Sequence, residues 1–142
     1  MAARFFGRYE HTIDPKGRLI LPSKYRVHFP GKGFLGFYKD EGCDEGCLML
    51  WPEEEFNLQM NRWREQLERG GALERNDVRK SASSIYEVDI DSTHGRVNIP
   101  SQLRKSAKLL GDGPVSVMVS GIVDHLELWN PSLWVEKVGV ME

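Results

Sequence analysis

Arg18 and Arg96 each follow a glycine, within GRLILPSKYR (17–26) and GRVNIPSQLR (95–104). A guanidinium beside a glycine is suited to bonding a phosphate or a base edge, because the missing side chain lets backbone approach closely. Arginine also pairs bidentately with guanine, each good contact giving roughly 1–3 kcal/mol of discrimination. Arg8, Lys16, Lys24 and Arg26 lie near Arg18 in the chain and suit phosphate contacts, which position without specifying. Arg26 recurs as Arg104, each in a short helix where an acidic neighbour competes with nucleic acid for it. Asp14 opens the turn DPKG (14–17), where Pro15 presets φ and Gly17 takes the left-handed position. Its carboxylate either accepts backbone N–H groups or orients Arg18. The corresponding candidates in the second loop are Asp91, His94, Gly95 and Arg96.

Other chemistry is poorly represented. The four histidines are scattered, and the serines of the repeated Pro-Ser pair have no histidine at a motif spacing. Asp89 and Asp91 alternate along one strand as a polar face rather than a general acid/base pair. Cys43 and Cys47 form at most half a zinc site and too little for a disulfide framework. The reading is therefore of a non-enzyme with no metal, cofactor or small-molecule substrate. The run PVSVMVSGIV (114–123) is half the length of a membrane helix, and the N-terminal stretch lacks a secretory apolar core. A cytoplasmic protein without membrane contact is expected.

Charge supports a polyanionic partner. The net charge is −2, yet residues 1–32 carry +5, 33–78 carry −6, 79–108 carry +3 and 109–142 carry −4. Both basic blocks contain the Gly-Arg motif. Bringing them together would give a positive face on an acidic body, which steers toward phosphate while suppressing indiscriminate binding.

The elements that must position these residues come in two copies. YEHTIDPKGRLILPSKYR (9–26) returns as YEVDIDSTHGRVNIPSQLR (86–104), and LMLWPEEEF (48–56) returns as LELWNPSLW (126–134). A shift of 78 superposes Gly17 on Gly95, Arg18 on Arg96, Pro22 on Pro100 and Trp51 on Trp129. Tyr9 and Tyr86 differ by 77, so the second loop holds one extra residue. Either Asp91 keeps the acidic role from a wider turn, or that role is lost to Ser92.

Each copy reads as a strand, a tight turn with a glycine bulge and a return strand. A short helix capped by Ser23 or Ser101 follows, the second carrying Leu103, Ala107 and Leu110. Two more strands end each copy, at 34–39 and 47–51, or 115–119 and 125–129. Phe56, Met60, Trp63 and Leu67 then mark an amphipathic helix whose arginines and glutamates face solvent, ended by Gly70–Gly71. A further helical turn is expected near 77–81. Strands this short need another sheet to cover them, and the natural partner is the other copy. An α+β fold is expected: an intertwined two-copy β-barrel flanked by helices.

The duplicated G-R-x-x-x-P, the YEHTIDPKGRLILPSKYR stretch and CLMLWPEEEF closely resemble the MraZ family over essentially the whole chain. That resemblance implies two SpoVT-AbrB domains at 7–53 and 84–127, a helical connector at 54–83 and a C-terminal helix at 128–142. It implies a pseudo-twofold swapped-hairpin barrel, a ring-shaped homo-oligomer and a nucleoid-associated transcriptional regulator. Double-stranded DNA would be bound through D-x-x-x-R loops, at direct repeats in promoters of the cell division and cell wall gene cluster. The motif is intact from Asp14 to Arg18 and interrupted before Arg96. The rival readings are an antitoxin-like protein and an oligomeric scaffold. The first needs a disordered toxin-binding tail, which the short, fairly apolar WVEKVGVME does not offer.

Overall fold

A computed structural model describes residues 4–40 and 43–139. Copy one supplies β1 (Arg8–Ile13), β2 (Arg18–Ile20), α1 (Ser23–Arg26), β3 (Gly31–Tyr38) and β4 (Cys47–Trp51). Two helices follow, α2 (Glu53–Arg69) and α3 (Ala72–Ala82). Copy two supplies β5 (Tyr86–Ile90), β6 (Arg96–Asn98), α4 (Ser101–Ser106), β7 (Val115–Ile122) and β8 (His125–Trp129), before α5 (Pro131–Val138).

All eight strands join one antiparallel sheet in the order β1-β7-β8-β4-β3-β5-β6-β2. Its two end strands, β1 and β2, are joined by the DPKG turn, so the sheet curls into a nearly closed barrel. The two copies are threaded through each other. β1 pairs with β7 from Arg8↔Ser120 to Ile13↔Val115, and its counterpart β5 pairs with β3 from Gly31↔Ile90 to Leu35↔Tyr86. Around the pseudo-dyad, β2 pairs with β6 and β4 with β8.

Period-two alternation fills the barrel. Ile13, Leu19, Leu35, Leu48, Leu50, Ile90, Val97, Val117, Val119, Leu126 and Leu128 all point into one buried cluster. Tyr25 ties α1 to the N-terminal segment, its hydroxyl donating to the Phe6 carbonyl at 2.6 Å. On the outer surface α2 stacks Phe56 on Phe34, ring centroids 4.3 Å apart. α5 begins with Pro131 behind an Asn130 cap that accepts from Ser132 and Leu133 N–H. It covers Cys47, Met49, Met118 and Trp129 with Leu133 and Trp134.

Several local expectations change. β1 and β2 do not pair as a hairpin ladder, because each finds a longer or better-covered partner in the other copy. Ser23 and Ser101 do not cap: Pro22 and Pro100 occupy the cap position and neither helix start has a side-chain cap. α4 ends at Ser106, and Lys108 at φ 58° turns the chain, so Leu109 is buried and Leu110 is exposed. Glu55 is buried rather than solvated, and the apolar stripe of α2 fades, with Leu67 exposed. The expected turn near 77–81 is a full helix, α3. Part of the polar loop between β3 and β4, and residues 140–142 of the expected C-terminal segment, lie outside the described residues.

One buried ion cluster makes stability depend on pH. His125 Nδ1 meets Asp124 Oδ1 at 2.7 Å, Nε2 meets Glu127 Oε2 at 3.1 Å, and the ring stacks on Trp51. Burial lowers its pKa, but hydrogen bonds to Glu127 and Asp124 outweigh burial, and the net shift is upward. A raised folded-state value stabilises fully below the unfolded histidine pKa of about 6.5, and that stability is lost as pH rises through the folded value. Melting temperature should therefore fall on raising pH above about 6.5, and His125→Gln should flatten that dependence in thermal melts.

Candidate nucleic-acid interface

The first loop is a type I turn closed by a glycine bulge. Gly17 N–H donates to the Asp14 carbonyl at 2.9 Å, Asp14 N–H donates to the Arg18 carbonyl at 2.9 Å, and Gly17 sits at φ 86°. Asp14 fills both roles open to it. Oδ1 accepts from the Lys16 and Arg18 N–H groups, and Oδ2 accepts from Arg18 Nε at 2.7 Å. The Arg18 N–H and guanidinium, with the Lys16 N–H, hold its carboxyl below the usual carboxylate range. Using Nε for this pair leaves both Nη groups of Arg18 without a partner among the described residues.

The second loop is one residue wider, so Gly95 N–H reaches the Asp91 carbonyl four residues back, with Gly95 at φ 72°. Asp91 N–H donates to the Arg96 carbonyl at 3.1 Å, which makes Asp91, not Ser92, the structural counterpart of Asp14. Its carboxylate, however, accepts from Thr93 N–H and meets His94 Nδ1 at 3.0 Å. The Thr93 N–H, then His94, lower its pKa. Arg96 is exposed, and its side chain has no partner among the described residues.

The β2–β6 ladder brings the two arginines together. Arg18 lies opposite Asn98, Leu19 opposite Val97, and Ile20 opposite Arg96. Residues opposite one another share a face and alternate residues swap faces. Leu19 and Val97 are buried in the barrel, so Arg18, Ile20, Arg96 and Asn98 all look outward. A shallow groove of about 240 Å³ beside them is lined by His11, Thr12, Asp14, Arg18, Ile20 and Arg96. His11 adds a ring nitrogen, Nε2, that is buried and unpartnered among the described residues. Its pKa is lowered by burial.

The remaining candidates occupy the two loop tips, β1 and the short helices. Lys16 is exposed at the first tip and His94 at the second, and Arg8 is exposed on β1. Lys24 lies over the Tyr9 and Tyr25 rings, 4.6 and 5.0 Å from their centroids. Arg26 and Arg104 are half-buried against loops rather than extended. Three lysines elsewhere are met by carboxylates: Lys32 by Glu53 and Glu87, Lys108 by Glu45, and Lys137 by Asp40. Ile20, Asn98 and His11 were not singled out in sequence. The alternation in RLI and RVN carried a signal for the first two, but choosing their outward neighbours requires knowing that β2 pairs with β6.

Among the described residues no three His, Cys, Asp or Glu side chains are grouped to hold a metal, and no helix is long and apolar enough to cross a membrane. Cys47 is buried in the α5 cluster, and burial pushes its thiol pKa up.

Comparison with known proteins identifies the family. The family model described as "MraZ protein, putative antitoxin-like" matches residues 5–76 and 82–137. A protein of Pediococcus pentosaceus named transcriptional regulator MraZ is 33% identical, over 94% of this chain and 86% of its own. The protein of that name from Mycoplasmoides gallisepticum is 36% identical, over 89% and 81%. That from Halothermothrix orenii is 32% identical, over 92% and 83%. With a duplicated barrel, and both halves matched over nearly their whole length, the chain belongs to the MraZ family, a family of transcriptional regulators and not of enzymes.

Proposed function

We propose that this regulator binds double-stranded DNA by laying the β2–β6 ribbon in the major groove, with the loops at 14–17 and 91–95 against the flanking backbone. The supporting observation is that Arg18 and Arg96 share one outward face, two ladder positions apart. A two-stranded ribbon fits the major groove, and both arginines can then reach base edges. Lys16 and His94 at the tips suit phosphates, as do Arg8 on β1 and Lys24 on α1. Ile20 and Asn98 are pseudo-equivalent but differ in chemistry: an apolar contact suits a thymine methyl, an amide suits adenine. The ribbon is therefore not self-symmetric, and a site read by it has a direction.

The footprint of one ribbon is a few base pairs, so useful affinity calls for several chains acting together. A ring-shaped homo-oligomer presenting many ribbons would bind tandem direct repeats with avidity where the spacing matches. We place those repeats in promoters of the cell division and cell wall gene cluster, this protein's own promoter included, and the working protein at the nucleoid.

Fluorescence anisotropy with a duplex from upstream of the gene, across a salt series, tests the reading. The logarithm of affinity should fall linearly with the logarithm of salt, by about 0.9 per phosphate contacted. A scrambled duplex should compete at least about tenfold more weakly. Equal competition would remove base reading, and a flat salt response would remove DNA altogether.

A further inference from the structure

We infer that Arg26 and Arg104 are positioning residues, each seating the loop of the opposite copy, so that the two loops are set as one unit. Only the claim that these loops read DNA rests on the proposed function; the coupling stands on contacts. Arg26 leaves α1 of copy one and crosses to loop two, where Nη1 donates to the Thr93 carbonyl at 2.8 Å. Its stem lies under Gly95, where a Cβ would come within 3.0 Å of Arg26 Cδ and 2.8 Å of the Leu21 carbonyl oxygen. Arg104 leaves α4 of copy two and lies beneath Gly17 of loop one. A Cβ there would come within 2.9 Å of its Cζ and Nη2. Its Nε donates to the Ile99 carbonyl at 3.1 Å, and Ile99 N–H donates to the Gly17 carbonyl at 2.8 Å. The mirrored bond runs from Leu21 N–H to the Gly95 carbonyl at 2.9 Å.

The repeated G-R-x-x-x-P-S-x-x-R motif therefore closes on its twin: the glycine of one copy receives the last arginine of the other. Both glycines have positive φ and are buried, so they are needed twice over, for the turn and for the guanidinium or its stem behind it. A phosphate-contacting arginine keeps its planar head in solvent. Here the stem and one edge of each are occupied by protein, and Arg26 Nε is buried with no partner among the described residues. The flat, forked guanidinium is what these seats use, and an ammonium cannot reproduce it.

Lysine substitutions separate the two roles, because they keep the charge and remove the fork. In Arg26→Lys, amide chemical shifts and hydrogen exchange should change most in residues 92–96, in the other copy's loop. In Arg104→Lys they should change most in residues 15–18. Both variants should bind the promoter duplex at least about fivefold more weakly with an unchanged salt slope, since phosphate contacts are kept. Changes confined to each arginine's own copy, or lysine variants that bind like wild type, would overturn the assignment. If the unaltered chain binds no duplex while the crossed amide pattern appears, the DNA reading fails and the coupling holds.

Discussion

Arg18→Ala should weaken promoter binding by about 5- to 150-fold, the range for one lost bidentate base contact of 1–3 kcal/mol, and leave the fold intact. The substitution keeps the backbone N–H that Asp14 Oδ1 accepts, as well as the Lys16 N–H, so the turn retains its internal bonds. What disappears is the side-chain pair to Oδ2, and Asp14 lies near enough to water to be left without a partner. Unfolding free energy should therefore move by less than about 0.5 kcal/mol. Arg96→Ala should cost less affinity than Arg18→Ala. Asp91 spends its carboxylate on Thr93 and His94, so Arg96 must lose more side-chain freedom on binding. Lys16→Ala should instead weaken all duplexes alike and reduce the salt slope by about one. If Arg18→Ala bound with wild-type affinity in a protein of wild-type stability, the ribbon would not be the reading surface.

How much of this was open to sequence reasoning follows from the range of the interactions involved. DPKG is local chemistry, and its bulged turn forms as its residue types dictate. The inward set Leu19, Val97, Leu48 and Leu126 follows from alternation against a buried face. The extra residue of the second loop was visible in the offset of Tyr86, but the fate of Asp91 was not. One backbone bond to Arg96 identifies it as Asp14's counterpart, while the wider turn places His94 where Arg18 stands in loop one. Strand partners were legible only as a class. A hairpin of β1 with β2 and a swap of β1 onto β7 satisfy the same alternation, and the longer six-residue ladder wins. Arg26 and Arg104 were hardest, because their partners Thr93 and Gly17 lie 67 and 87 residues away in the chain. Recurrence marked them as important without saying for what.

The same threading has a consequence for the separated halves. Cut between Gly70 and Gly71, neither half should fold as a monomer, and mixing the two should restore the barrel. Among the described residues, the extended ladder within copy one is β3 with β4; within copy two it is β7 with β8, β5 and β6 sharing the single pair Ile90↔Val97. β1, β2 and β3 find β7, β6 and β5 across the cut, and β4 finds β8. A two-stranded ribbon is marginal in water at best. Without its twin, each half would expose the strand faces that bury Ile13, Leu19 and Leu50, or Ile90, Val97 and Leu126. Pseudo-symmetry leaves one further route, a homodimer of one half, but there Arg26 would meet a copy of the shorter loop in place of the wider one it seats, and Arg104 the wider loop in place of the shorter. The mixture should therefore form the one-to-one complex in preference to either homodimer. Sedimentation and dispersed amide spectra on each half and on the mixture would measure this. A half that gives a native-like spectrum as a monomer would show that the copies are independent units, and the shared ribbon with its crossed arginines would then have no physical basis.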